Sequence, residues 1–337
     1  MQLPRLGPGP KLLISLGILS LLFVLLPWEQ VRDAIGRVSP ALWAGVLLGF
    51  IAGHLIGVLK FRMMVNTSRK RAPFPPVDAL RCYAAGLFAN LYLPSIVGGD
   101  VLRALLAGRV IGRTEAAIFA GLADRAIDVL ALGLLIGVGG LLTGRELAGW
   151  SVPLLLLLAL AGVALGLFAV ALVLRRPLRV WPAKVRGRIA RSLVALRRLA
   201  RRPATALGVL ALSLTIQSLF VLLNAWIGWA LDVRVGLGVW FLVWPLAKVA
   251  GMLPISLNGL GVRDATLAAL LVPLGVPIAR GVVTSLVWQT VVLAGGLLGG
   301  LTWWLRGRGR ADAGFDRHAL RRRSARGESA ARIADLR

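Results

Sequence analysis

Cysteine is all but absent. Cys82 stands alone in 337 residues, which excludes an intramolecular disulfide and any cysteine-cluster metal site. Histidine is as scarce, with only His54 and His318, and leaves little for imidazole chemistry; neither a metal nor a cofactor is expected. Charged residues make up only 16%, against about 25% in soluble domains, while 58% of the chain is hydrophobic against about 45–50%. A single soluble core of that composition would expose large apolar patches, so the surplus must face lipid. Rossmann, barrel and sandwich enzymes are thereby excluded, and the fold class is an all-α polytopic membrane protein. Acids are the scarcer sign, 14 Asp and Glu against 40 Lys and Arg, a net charge of +26. In a soluble chain that excess would suggest nucleic acid. Here the basic residues cluster between apolar runs and read as topology signals, with no nucleic-acid partner.

A bilayer core about 30 Å thick needs roughly 20 apolar residues as helix. Six runs qualify as full spans, approximately 11–27, 41–60, 115–143, 152–174, 205–231 and 281–305. The first lacks a small-residue cleavage site and is read as a retained span, not a signal peptide. Two shorter runs, 80–93 and 239–253, each end in Leu-Pro followed by a Gly-containing polar turn, which breaks the helix and marks a re-entrant hairpin. Lys and Arg number six in 60–81 (Lys60, Arg62, Arg69, Lys70, Arg71, Arg81), eleven in 175–202 and ten from Arg306 onward. The alternate connections carry only Arg32 and Arg37, then Arg145, then Arg234. The positive-inside rule then places both termini in the cytoplasm and the chain in the cytoplasmic membrane. Residues 1–305 form the transmembrane domain. Within it, 184–202 alternates Val185, Ile189, Leu193 and Leu196 with arginines, as an amphipathic helix on the inner leaflet or as a solvated basic loop. The basic tail 306–337 is expected to be disordered against anionic lipid.

The two broken segments echo each other: Leu93-Pro94 with Gly98, Gly99, Asp100 and Arg103, and Leu253-Pro254 with Asn258, Gly259, Gly261, Arg263 and Asp264. Three full spans separate them, and an odd number puts the copies in opposite orientation, the pattern of an inverted repeat with discontinuous helices. Ionisable groups at this depth cost at least about 2.5–3.5 kcal/mol each on insertion scales, so they demand partners or a polar cavity. Asn90, Asp100 and Arg103 surround the first break. Gly98 and Gly99 permit tight or left-handed backbone there, and Asp100 stands at the expected helix start. The run Asp124-Arg125-Ala126-Ile127-Asp128 puts two acids on one helix face, with Arg125 spaced to pair with Asp128. Lys248 precedes the second break, and Asn258, Arg263 and Asp264 follow it. If both hairpins reach inward, Arg103 and Arg263 approach from opposite sides in a geometry suited to a phosphate. The structural alternatives are a helix cap at Asp100, an interface-snorkelling Arg103, and a salt-bridge staple at Asp124, Arg125 and Asp128. His54 and Cys82 read as packing residues. The tryptophans Trp28, Trp43, Trp150, Trp240, Trp303 and Trp304 read as interface anchors.

Taken together, Asn90, Leu93-Pro94, Gly98-Gly99-Asp100 and Arg103, the Asp124-Arg125/Asp128 triplet, and Leu253-Pro254, Gly259 and Gly261-Val262-Arg263 resemble the lysylphosphatidylglycerol synthase transmembrane-region family, the flippase-like domain proteins. The resemblance runs to about residue 305. It implies movement of a polar or anionic lipid, with membrane lipids as partners and either a homo-oligomer or an envelope-synthesis partner left open. Longer relatives carry a soluble aminoacyl-transferring domain after the membrane part; the stretch after residue 305 is too short for one, so lysyl transfer is not expected. The family more often shows Glu where this chain has Asp264. A reading from another class is a membrane-embedded enzyme or accessory subunit in lipid-linked glycan or aminoacyl-lipid metabolism; paired acids exist for it, but no DxD-type cluster or nucleophile with a base is visible.

Overall fold

A computed structural model describes residue 29 and residues 36–67, 73–91, 96–143, 203–252 and 261–307. Among these, eight α-helices follow in order: α1 (Pro40–Thr67), α2 (Pro76–Ala89), α3 (Ile96–Ile111), α4 (Thr114–Thr143), α5 (Pro203–Ala230), α6 (Leu237–Gly251), α7 (Val262–Leu271) and α8 (Ile278–Gly307). Proline opens α1, α2 and α5, where the first N–H has no intrahelical partner to lose, and Ser39 caps α1 by accepting from the Leu42 N–H at 3.1 Å. The expected spans 11–27 and 152–174, the basic segment 184–202 and nearly all of the tail lie outside the described residues.

Among the described residues, four helices are long and apolar enough to cross a membrane: α1 and α5 with 28 residues, α4 and α8 with 30. Their outer faces present leucines such as Leu48 and Leu141. The span expected at 41–60 continues to Thr67, because Phe61, Met64 and Val65 extend its apolar face beyond Lys60. Lys60, taken from the sequence as part of a cytoplasmic connection, is therefore a buried residue inside a span. The helices of the two broken segments have 14 and 16 residues (α2, α3) and 15 and 10 residues (α6, α7). At 1.5 Å per residue none exceeds about 24 Å, too short to cross a core of about 30 Å alone.

The eight helices form two equivalent sets. Exchanging α1 with α5, α2 with α6, α3 with α7 and α4 with α8 carries each principal helix pairing into another: α2–α8 into α6–α4, α3–α4 into α7–α8, α1–α4 into α5–α8, α1–α8 into α5–α4. The sets are inverted. Gly45 lies against Trp226, Gly49 against Leu223 and Gly53 against Phe220, so positions rise along α1 as they fall along α5. Glycines at every fourth position on α1 let the two spans approach closely, the small-residue device of membrane helix pairs. The inverted repeat expected from the two Leu-Pro echoes is thus present in the helix packing.

Two apolar clusters fill the interior. One centres on Trp240, Trp244, Trp288, Phe220 and Phe50, the other on Phe61, Met64, Phe74 and Cys82. Trp240 is not an interface anchor; it is fully buried against Gly228, because α6 turns inward where a span end was expected. Trp303 and Trp304, near the end of α8, are exposed.

Candidate functional site

Each broken segment is held by its own polar groups. At the first, Asn90 caps α2, and its Oδ1 accepts from the Gly99 N–H at 3.0 Å, folding α3 back against α2. Gly99 packs on the Gly86 carbonyl and on Asn90, a contact that leaves no room for a Cβ. Gly98 and Gly99 are helical, contrary to the expected loop, because α3 begins at Ile96; Asp100 accordingly lies within the helix and does not cap it. At the second, Gly261 has φ 78° and starts α7, and the Asp264 carboxylate accepts from its N–H at 3.0 Å. Asp264 also accepts from Arg263 at 3.1 Å and from the Ser285 hydroxyl. Pro94, Pro254, Asn258 and Gly259 lie outside the described residues.

Between α1, α3 and α4 lies a network of three cations and three acids. Lys60 Nζ donates to Asp128 Oδ1 at 2.5 Å and to Ser213 Oγ of α5 at 3.1 Å, and pairs with Asp124 Oδ1 at 3.0 Å. Arg103 Nη2 donates to Asp124 Oδ2 at 3.1 Å and pairs with Asp100 Oδ1 at 3.2 Å, while its guanidinium lies over the rings of Phe61 and Tyr83. Arg125 pairs with Asp100 Oδ2 at 3.3 Å, across the α3–α4 contact. The helical spacing pointed instead to Asp128, which Lys60 occupies. These groups, with His54 hydrogen-bonded through Nδ1 to the Tyr83 hydroxyl at 3.0 Å, border a cavity of about 110 Å³.

A second cavity, about 170 Å³, lies where the two broken segments meet, with Asn90 and Leu91 on one side and Gly251, Met252 and Arg263 on the other. His54, Leu87, Asn90 and Arg125 border both cavities, so the two adjoin. Among the described residues its walls carry three cations, Arg125, Lys248 and Arg263, and no acid. Lys248 Nζ donates to the neutral Gln217 at 2.6 Å and lies over the Phe220 ring; Arg263 Nη2 donates to Gln289 at 2.6 Å, and the guanidinium stands over Trp244. The Nε of Arg263 is buried without a hydrogen-bond partner among the described residues. Arg103 borders the first cavity and Arg263 the second, so the guanidinium expected to face Arg263 is instead turned to Asp100 and Asp124. Lys248 and Arg125 take its place.

Sequence reasoning missed Lys60, which its neighbours Arg62 and Arg69 disguised as loop charge. It also missed Gln217 and Gln289, amides inside otherwise apolar spans, where a polar side chain is itself a signal of an internal partner.

Comparison with known proteins agrees with this architecture. A family model described as the lysylphosphatidylglycerol synthase TM region matches residues 11–300. No curated protein and no solved structure matches the chain. The chain therefore belongs to the lysylphosphatidylglycerol synthase TM region family and is a multi-pass membrane protein of lipid-related function.

Proposed function

We propose that the protein translocates a polar or anionic lipid across the cytoplasmic membrane, with the headgroup phosphate held by Lys248, Arg263 and Arg125. The observation that carries this reading is the cavity between the two broken segments, whose described walls hold three cations and no acid. Arg125 and Arg263 also face Asp100 at 3.3 Å and Asp264 at 3.1 Å, whereas Lys248 has a neutral hydrogen-bond partner, so the cation in excess calls for an anion, and the anion available at that depth is a lipid phosphate. The inverted arrangement of the two helix sets supports the same reading, since related halves of opposite orientation offer two equivalent exits from one central site. In this scheme Asp100, Arg103, Asp124 and Asp128 form a compensated network that fixes Arg125 at the cavity wall, and Asn90 and Asp264 fix the segments that bring the cations together. Asn258 belongs to the same proposed site on sequence grounds, and both termini face the cytoplasm.

Lipid retention tests the headgroup assignment. Native mass spectrometry of protein extracted from vesicles of equal phosphatidylglycerol and phosphatidylcholine should show the anionic lipid retained preferentially. In Lys248→Gln and Arg263→Gln that preference should fall about 10- to 100-fold, the worth of one charge-assisted contact. Equal retention of the two lipids by the folded wild type would sink the assignment.

A further inference from the structure

A third cavity, about 300 Å³ and larger than either polar one, opens between α1, α2 and α8. Its walls are apolar: Phe50, Leu55 and Val58 from α1, Ala84 and Leu87 from α2, Leu298 from α8. It grades from outside to inside. Leu55 and Leu298 at the rim are 51% and 42% exposed on the outer faces of two spans, whereas Val58 and Ala84 are buried. The inner end reaches the polar cavities, because His54, Tyr83 and Leu87 also border the acid–base network and Phe50, His54 and Leu87 also border the cationic cavity. An apolar groove thus runs from the outer surface of the helices to the residues that wall the charged cavities.

The wall is built from different residues in the two halves of the molecule. Gly295 and Gly299, the eighteenth and twenty-second residues of α8, border the groove and let Phe50 and the Ala84 carbonyl approach α8 closely. The eighteenth and twenty-second residues of α4 are Ala131 and Leu135, both buried. Nearby, Gly139 lies directly on the Phe241–Leu242 backbone and Gly228 on Trp240. Glycines mediate close helix approach in both halves, and the corresponding wall positions differ in residue, glycine on α8 against Ala131 and Leu135 on α4.

We infer that the α1–α2–α8 groove is a binding site for an acyl chain of a membrane lipid whose headgroup lies in the adjoining polar cavity. The inference rests on the lipid-translocation reading for the headgroup, and on the groove geometry alone for the chain. The occupant is lipid because the rim lies on the outer faces of two membrane-crossing helices, where hydrocarbon is the adjacent phase, and because the groove shares His54, Tyr83 and Leu87 with the charged cavity. His54 with Tyr83 marks the point where hydrocarbon gives way to polar groups.

The test uses the full chain in phosphatidylcholine vesicles carrying a phosphatidylglycerol with a diazirine in mid-chain, followed by irradiation and peptide mass spectrometry. Lipid in the surrounding annulus labels exposed residues anywhere, so the informative positions are the buried Val58 and Ala84. Both should be labelled, and Leu298→Trp or Leu55→Trp, which fill the groove from its rim, should cut that labelling about tenfold by removing the burial of roughly two methylenes. Leu122→Trp, on the outer face of α4, should leave it unchanged and controls for the added indole. Labelling of exposed positions with none at Val58 and Ala84 in folded protein overturns the groove. A phosphatidylcholine probe of the same chain separates the two readings. Equal labelling of Val58 and Ala84 by both lipids supports the groove while removing the anionic-headgroup assignment. Preferential labelling by phosphatidylglycerol, abolished by Lys248→Gln, supports both.

Discussion

The ammonium of Lys60 lies 2.5 Å from the Asp128 carboxylate, an ion pair that joins α1 to α4 inside the helix bundle. Ser213 of α5 accepts from the same nitrogen, so three membrane-crossing helices meet at one cation. Its partner set also includes Asp124, which Arg103 holds from α3. The acid surplus legible on α4 is therefore balanced by residues of two other helices.

Removing Lys60 should be costly. In Lys60→Met, Asp128 loses its hydrogen-bonded cation and Asp124 one of two, leaving buried carboxylates in partial opposition. A loss of about 3–5 kcal/mol is expected, the range for stripping one partner from a buried pair. Adding Asp128→Leu should recover most of it, because Arg103 still holds Asp124. Thermal unfolding in detergent measures both effects.

Arg125 should couple energetically more strongly to Asp100 than to Asp128. The ion pair runs to Asp100 at 3.3 Å, while Asp128 is engaged by Lys60. A double-mutant cycle on Asp100→Asn and Arg125→Gln should give a coupling of about 0.5–3 kcal/mol, and the cycle on Arg125→Gln and Asp128→Asn a smaller one. The reverse ranking would place the helical i,i+3 pair above the contact between helices.

Lys248→Gln should leave stability intact and remove function. The Lys248 ammonium has a neutral hydrogen-bond partner, Gln217, and shares its cavity with two further cations. Neutralising it relieves like-charge repulsion, so the melting temperature should hold or rise while anionic-lipid binding falls. A purely structural lysine would show the opposite, a lower melting temperature with binding retained.

Asp232 sets an acid limit at one end of the bundle. It lies in the turn after α5, with φ 63°, and receives Arg234 Nε at 2.6 Å and Arg280 Nη1 at 3.1 Å. The hydrogen bond from Arg234, reinforced by the nearby Arg280 and Arg37, holds its carboxyl below the usual carboxylate range. A depressed folded-state pKa stabilises above the unfolded value, near pH 4, and that contribution disappears as pH falls through the folded value. Wild type and Asp232→Asn should therefore differ in melting temperature at neutral pH and converge as the pH drops below about 4.

The broken segments were legible because Leu-Pro followed by glycine has few other meanings inside apolar sequence, and the inverted relation followed from parity. Span ends were less legible. Apolar residues past Lys60 carry α1 to Thr67, and a lysine that looks like the first loop charge is buried against two acids three helices on. The partner of Arg125 was misjudged because spacing along one helix says nothing of the helix packed beside it. The positions of Gly98 and Gly99 were read as turn geometry, whereas Gly99 serves close approach of α2 and α3. For Trp240, placement near a run end suggested an interface, and only the inward course of α6 buries it.

The central claim is tested most directly by the rate at which labelled phosphatidylglycerol crosses the bilayer of proteoliposomes containing the full chain. The account predicts protein-dependent transfer well above empty vesicles, unchanged in Leu122→Trp and reduced at least about tenfold in Lys248→Gln and Arg263→Gln. Transfer by folded wild-type protein no faster than in empty vesicles, or equal transfer by Lys248→Gln and wild type, would contradict it.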